Sequence, residues 1–388
     1  AAFVRVRAEA AGIVKEETLR LKIEEARPTV TGIIRTGVDP SLEVRQGAGA
    51  IGLLIEGKNL DHVAEFAIED LETTIEQLSS ESVHLTVLVE HGVPTGPKAL
   101  VLTSEGGATD AYPAVEVTEI TASPSGNDVT GAGTKASPYL TLARALADSA
   151  AGDTVVLLPG EYAISNAGPP GATGPLVIVP TGVWLRGEAT DAVFISGTET
   201  HDAIGVALNP DSRLSDLTIR DFNVAVTATS GRVSLTLVNL VGNQTGLLAA
   251  AGEVVVEASM LIDNGVGIHV GNDAGLWVNS TEVRRSGRYG LEVGGEAIVH
   301  ADDLDLIISG YAGVAVGEAA TVHLRGGQVA GGARFGLLVD GGGVATLDGV
   351  RVALNDGNGI EFQGRALELR NVTVDQNGES GLRVVGTP

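Results

Sequence analysis

Cysteine is absent from this 388-residue chain, which excludes disulfides and thiolate metal sites and leaves the redox compartment open. Aromatic residues make up only 3% and methionine occurs once, so a large aromatic core is excluded as well. No apolar run approaches the roughly 20 residues that a membrane-crossing helix needs, and no transmembrane segment is expected. Positive charge is scarce. Twenty-five Lys and Arg against 49 Asp and Glu give a formal net charge of −24, and no lysine follows Lys135. Such a chain repels phosphates, which excludes nucleic acid as a partner. What is plentiful is glycine, 53 residues, with Val, Leu, Ile and Ala, a composition suited to narrow strands and tight turns. The chain opens Ala1-Ala2-Phe3 without a Met, so a processed segment of a longer secreted protein is expected, extracellular or at the cell surface.

From near Ala203 onward a small residue followed by an apolar–variable–apolar triplet recurs about every 21 to 23 residues. It begins at Gly246-Leu247, Gly267-Ile268, Gly290-Leu291, Gly313-Val314, Gly336-Leu337, Gly359-Ile360 and Gly381-Leu382. A unit this short holds two or three strands and their turns and cannot bury its own apolar face, so it must stack on its neighbours. The economical arrangement is a parallel β-helix with one coil per repeat, about nine coils in all. The last residues have the pattern of the opening strand of one more coil.

Residues 1 to about 120 lack that period. Alternation of apolar and charged residues at 3–7 and 19–23 predicts half-buried antiparallel strands, and further strands are expected at 30–34, 51–56, 83–89 and 99–102. Strands at such spacing suggest a β-sandwich. Pro28-Thr29-Val30-Thr31-Gly32-Ile33, Val44-Arg45-Gln46-Gly47-Ala48-Gly49 and Leu54-Ile55-Glu56-Gly57-Lys58-Asn59-Leu60 resemble an immunoglobulin-like domain of the IPT/TIG type over residues 27–120. Residues 1–26 are then strands of a preceding module or an N-terminal arm able to complete a neighbour's sheet. Residues 121–136, rich in Ser, Gly, Asn and Asp, are expected to be a linker.

In Ser137-Pro138-Tyr139-Leu140-Thr141-Leu142, Ser137 is the expected N-cap of a short helix, with Tyr139, Leu142 and Leu146 on one face. The strand-and-turn Thr154-Val155-Val156-Leu157-Leu158-Pro159-Gly160 follows. This block resembles the opening of bacterial secreted proteins of the pectin-lyase-like right-handed parallel β-helix superfamily. The resemblance implies that the helix plugs the first coil and that residues 137–388 form the solenoid. It implies little about activity, since that superfamily holds lyases, hydrolases, adhesins and inert scaffolds. The fold class is therefore all-β: an immunoglobulin-like sandwich, then a right-handed β-helix with an N-terminal capping helix.

Stacking turns matched repeat positions into columns. His269, Glu292, Ala315, Leu338, Glu361 and Arg383 are expected to form one outward column, which carries neither the calcium ligands with a basic proton acceptor of polyuronate lyases nor the clustered aspartates of the related hydrolases. Trp277, His300 and His323 are expected on consecutive coils, either as two imidazoles able to hold a transition metal or as a solvated ladder covering the sheet. Glu282 and Asp305 stack likewise, roughly 5 Å apart by strand spacing. That is a carboxylate pair, an adventitious calcium site or a solvated edge. Tyr289, Tyr311 and Phe335 precede the repeat glycine on successive coils, with Arg288 and Arg334 beside them, and either stack on sugar rings or seal a turn corner. Asn243, Asn264, Asn355 and Asn377, with Ser286 and Ser309 between, read as a structural ladder whose Asn residues tolerate left-handed corners.

No catalytic residue, resident metal or cofactor is assigned, with calcium left open. The main functional expectation is a cell-surface, adhesin-like scaffold with polysaccharide or surface components as partners, able to polymerise through strand pairing or end-to-end stacking. The alternative is a carbohydrate-active lyase or hydrolase acting on acidic polysaccharide.

Overall fold

The computed structural model describes residues 2–10, 13–21, 27–37, 41–104, 107–165, 175–198 and 203–386. They divide into two units, the second running from about Thr118 to the end. In the first unit, strands Ala2–Ala10 and Ile13–Leu21 pair antiparallel with Phe3 opposite Arg20. Among the described residues this hairpin joins no other sheet. Two more antiparallel sheets follow. One orders Thr29–Thr36, Gly49–Lys58, Ser82–Val89 and Glu72–Leu78; the other is centred on Gly96–Ser104, flanked by Tyr112–Thr118 and Val63–Ile68. Strict alternation makes Val83, Leu85, Val87 and Val89 the buried side of their strand, and Leu100, Leu102, Val115 and Val117 line the other sheet's buried side. This is the expected sandwich.

The second unit is the parallel β-helix. A 17-stranded parallel sheet wraps two faces and a 10-stranded one forms the third. One coil shows the plan. Strand Gly275–Ser286 covers the first and second faces, bending at Ser280, and Tyr289–Val293 makes the third before Ile298–Ser309 starts the next coil. The main inward columns are apolar throughout. On the first face one runs Leu235, Val256, Val278, Ala301, Leu324, Leu347, and on the third Leu247, Ile268, Leu291, Val314, Leu337, Ile360. All of these are buried, at about 1.5–3 kcal/mol for each full-size side chain. The repeat glycine is set by close approach. A Cβ on Gly267 would lie 2.3 Å from Val283 Cγ1, and one on Gly290 would lie 2.7 Å from Leu306 Cδ2.

Three corners separate the faces, and most turns use a left-handed residue. For the corner preceding the third face these include Asp263, Arg285, Ile308 and Leu354, with φ of 57°, 53°, 60° and 60°. The asparagine ladder sits one position later, so its residues do not supply the left-handed turn expected of them. They supply the hydrogen bonds. Asn264 Oδ1 accepts from the Asn243 backbone N–H at 2.9 Å and from Asn243 Nδ2 at 3.0 Å, while Asn264 Nδ2 donates to the Leu240 carbonyl at 2.9 Å. Asn355 Nδ2 donates to Asn377 Oδ1 at 2.8 Å.

Two boundaries differ from expectation. The helix is Leu142–Ala147, capped by Thr141, whose hydroxyl accepts from Arg144 N. Ser137 does not cap it, because the Asp128 carboxylate accepts from Leu140 N, Thr141 N and the Thr141 hydroxyl and holds the chain extended up to that point. Tyr139 accordingly bridges to Ala122 as a strand residue. Leu142, Ala145 and Leu146 join the first coil's core, as a plug must. The composition that reads as a linker also carries regular structure at its start: Ile120–Ala122 is buried and pairs in parallel with Thr154–Leu157.

Asn264→Ala leaves an amide and a backbone N–H of Asn243 without their buried acceptor, and should cost roughly 2–3 kcal/mol. Ser286 occupies the same ladder, but its buried hydroxyl has no hydrogen-bond partner. Ser286→Ala should therefore leave the protein as stable as before or more so, because it removes a buried hydroxyl that no bond offsets. Urea midpoints of the two variants test the contrast.

Candidate functional site

The first face carries one outward column along the solenoid. In register it reads Thr154, Trp184, Arg213, Ser234, Val255, Trp277, His300, His323, Thr346, Glu368. Trp277, His300 and His323 are thus brought together. Trp277 stacks on His300 with centroids 5.9 Å apart and planes at 20°, and His300 on His323 at 4.9 Å and 15°. With rings parallel, one indole face of Trp277 is covered by His300 and the other turns toward the preceding coil, where the column holds the smaller Val255. The indole leans over Gly275 on its own strand, where a Cβ would meet it at 2.6 Å. Burial and then the neighbouring His300 push the His323 imidazole below its usual pKa. No cluster of three or more His, Asp or Glu side chains suited to a metal occurs among the described residues.

Trp184 escapes a reading based on the repeat, because the spacing from it to Arg213 is wider than the later period. Extending the column backward through Leu185, in line with Leu214, would have found it. Its Nε1 donates to Ser215 Oγ at 3.0 Å, and Arg186 lies 5.8 Å from its ring. Between the two indoles the column holds Arg213, Ser234 and Val255, and the neighbouring positions hold Ser215, Thr236 and Glu257, so short side chains fill the middle with Arg213 and Glu257 at its margins. The result is an open depression of about 560 Å³ with Trp184 and Arg213 in its wall, its lining completed by Asp211, Asp216, Arg232 and Glu257. Trp184 and Trp277 are 36% and 38% exposed, enough to offer ring surface to a ligand. Four coil steps separate them, about 19 Å at strand spacing.

The aromatic corner is also assembled on successive coils. Tyr311 meets Tyr289 and Phe335 edge-to-face, each at 5.6 Å. Tyr289 and Phe335 are buried with Ala312 and packed by Val266, Ala315 and Leu338. The exposed Arg288 covers Tyr289 at 4.6 Å and Arg334 covers Phe335 at 5.4 Å. Guanidinium, rather than ring face, meets solvent there.

In the other columns, Glu282 and Asp305 are register neighbours. Glu282 lies 3.2 Å from Arg284 Nε, while Asp305 accepts from the Gln328 backbone N–H. His269 Nδ1 is 2.8 Å from Glu292 Oε2, and this hydrogen bond is the main cause holding the Glu292 carboxyl below its usual pKa.

Residues 204–388 match the family model described as a right handed beta helix region, and residues 124–200 match one described as a protein of unknown function (DUF1565). No curated protein matches the chain. Among solved structures, the A-module of the Azotobacter vinelandii mannuronan C-5 epimerase AlgE6 is similar at 15% identity and a TM-score of 0.48, covering 60% of this chain and 71% of that one. The catalytic unit of a thermostable GH87 α-1,3-glucanase from Streptomyces thermodiastaticus strain HF3-3 is similar at 14% identity and a TM-score of 0.28, covering 98% and 96%. A GH87 α-1,3-glucanase catalytic domain in complex with nigerose gives 10% identity and a TM-score of 0.28, covering 100% and 98%.

A histidine whose folded pKa is depressed takes up its proton more readily when unfolded, so stability falls as pH drops below the unfolded value of about 6.5. His323→Gln should flatten that fall. The difference in Tm between pH 7.5 and 5.5 should be smaller in the variant than in the parent protein, with both values read by thermal denaturation.

Proposed function

We propose that this protein binds a polysaccharide along the first face of its solenoid, from Trp184 across the depression it walls to Trp277 on the coil beyond. The observation that carries this is the pair of part-exposed indoles on one outward column, with the short Ser234, Thr236 and Val255 between them. The apolar C–H face of a sugar ring packs on an indole. Its hydroxyls need both donors and acceptors, which Ser215, Ser234, Thr236 and the flanking charged groups provide. The depression is open, which suits a stretch within a long chain rather than a small molecule enclosed on all sides.

This reading keeps the glycan partner expected from the sequence and places it on a different surface from the Tyr289–Tyr311–Phe335 corner, whose rings are mostly covered. It also takes precedence over the adhesin-like or filament-forming scaffold, which rests on the sandwich-and-solenoid layout, the acidic surface and the short turns and on no binding surface. Within it, the sandwich at 27–120 is an IPT/TIG-like module and the protein works outside the cell, where long polysaccharides are found.

Trp277→Ala and Trp184→Ala should each weaken retardation in polysaccharide-containing native gels by about tenfold or more, the usual loss at an aromatic anchor. Arg288→Ala, on the third face, should leave retardation unchanged. Equal retardation of both tryptophan variants and the parent would refute the site. Release of shortened or unsaturated sugars by the parent but not by Trp277→Ala would assign turnover to the same surface.

A further inference from the structure

We infer that the glycan taken by this depression is an uncharged hexose polymer and not a polyuronate. The inference rests on the Trp184–Trp277 depression being a glycan site. Its lining sets two guanidiniums, Arg213 and Arg232, against three carboxylates, Asp211, Asp216 and Glu257, and includes no lysine. The adjacent Arg186 is already paired, 3.4 Å from Glu119. The local balance is therefore negative within a chain of formal net charge −24. A polyuronate brings one carboxylate per sugar, so several would fall within the roughly 19 Å between the indoles, each facing a surface with no cationic surplus. Carboxylates lining a site accept hydrogen bonds only. A neutral hexose presents hydroxyl donors to them at every ring, whereas a uronate replaces one of its hydroxymethyl groups with a further acceptor of like charge. A divalent cation could bridge the two sets of carboxylates, but no cluster of three or more metal-binding side chains exists among the described residues to hold one.

The test is gel retardation of the intact protein on soluble neutral glucans and mannans and on polymannuronate and polygalacturonate, with and without calcium. Each is run at about 0.1 M and 1 M salt, between which the screening length falls from about 10 Å to 3 Å. At least one neutral polymer should retard the protein, with less than about twofold change across the salt range. The polyuronates should not retard it at low salt. An Asp211→Asn/Asp216→Asn/Glu257→Gln variant should gain low-salt polyuronate retention and lose affinity for the neutral polymer. Polyuronate retention by the parent protein, with or without calcium, and none on neutral polymers overturns this inference; if Trp277→Ala abolishes that retention, the glycan site itself stands. Retention by no polymer overturns both. Neutral retention that Trp277→Ala leaves intact places the site elsewhere, and the charge balance of this depression then says nothing for it.

Discussion

Between the first and last coils, the described strands of the solenoid find their backbone hydrogen-bond partners in the coils before and after them. That constraint fixes the rest. A buried amide without a partner costs about 1–3 kcal/mol, so the coils must lie in register along their whole length. Once they do, residues distant in sequence become neighbours at strand spacing. The contacts His300–His323 and Asn243–Asn264 are products of this register, as is the apolar interior. Columns are thus the unit of design. An inward column must be apolar or, like the asparagine ladder, made of small polar residues that bond from coil to coil, while an outward column is free to vary, and variation along an outward column is what creates relief.

The corners show where this regularity is strained. Each coil must turn three times, and most turns use a left-handed residue. Glycine or Asp fills many of these positions, but Ile308 and Leu354 adopt φ of 60°, at about 1–2 kcal/mol for a side chain bearing a Cβ. Both are more than half exposed, so no buried packing rewards them. The adjacent asparagine ladder offsets the strain by tying successive turns together through side-chain amides. Separating the residue that turns from the residue that bonds explains why asparagine recurs where the backbone is not left-handed. The pattern of recurrence is visible in the sequence, but the one-residue offset between turn and ladder is not, because both roles favour the same small polar residues.

The same distinction governs what else could be read in advance. Columns within the regular repeat were legible down to single residues: Trp277, His300 and His323 stack, and Tyr289, Tyr311 and Phe335 meet edge-to-face. Periodicity assigns neighbours without the coordinates. It does not assign exposure, because Tyr289 and Phe335 are buried by the guanidiniums of Arg288 and Arg334, and that depends on side-chain rotamers. Nor does it reach the first coils, where wider spacing conceals Trp184 and the true helix cap, Thr141, is selected by a hydrogen bond from a loop residue, Asp128. The linker composition of 121–136 misleads for a related reason. Ser, Gly and Asn are abundant wherever a chain turns tightly, whether it is free or, as at Ile120–Ala122, has just left a buried strand.

A depression on a flat sheet has to come from side-chain length alone, since the backbone offers no curvature to exploit. On the first face, Ser215, Ser234, Thr236 and Val255 are short, Arg213 and Glu257 stand at the margins, Trp184 rises at one end, and Trp277 stands one coil beyond Val255. Long loops, the usual way for a solenoid to wall a groove, are not needed for this. The arrangement also explains the stack behind Trp277. An indole standing alone on a sheet would be free to rotate, whereas one pressed against His300 and seated over Gly275 is held with its far face toward the depression. Support of this kind converts an exposed aromatic residue into an oriented surface. The depressed pKa of His323 follows from its burial and its neighbour His300, so the ring that backs the Trp277–His300 stack favours its neutral form.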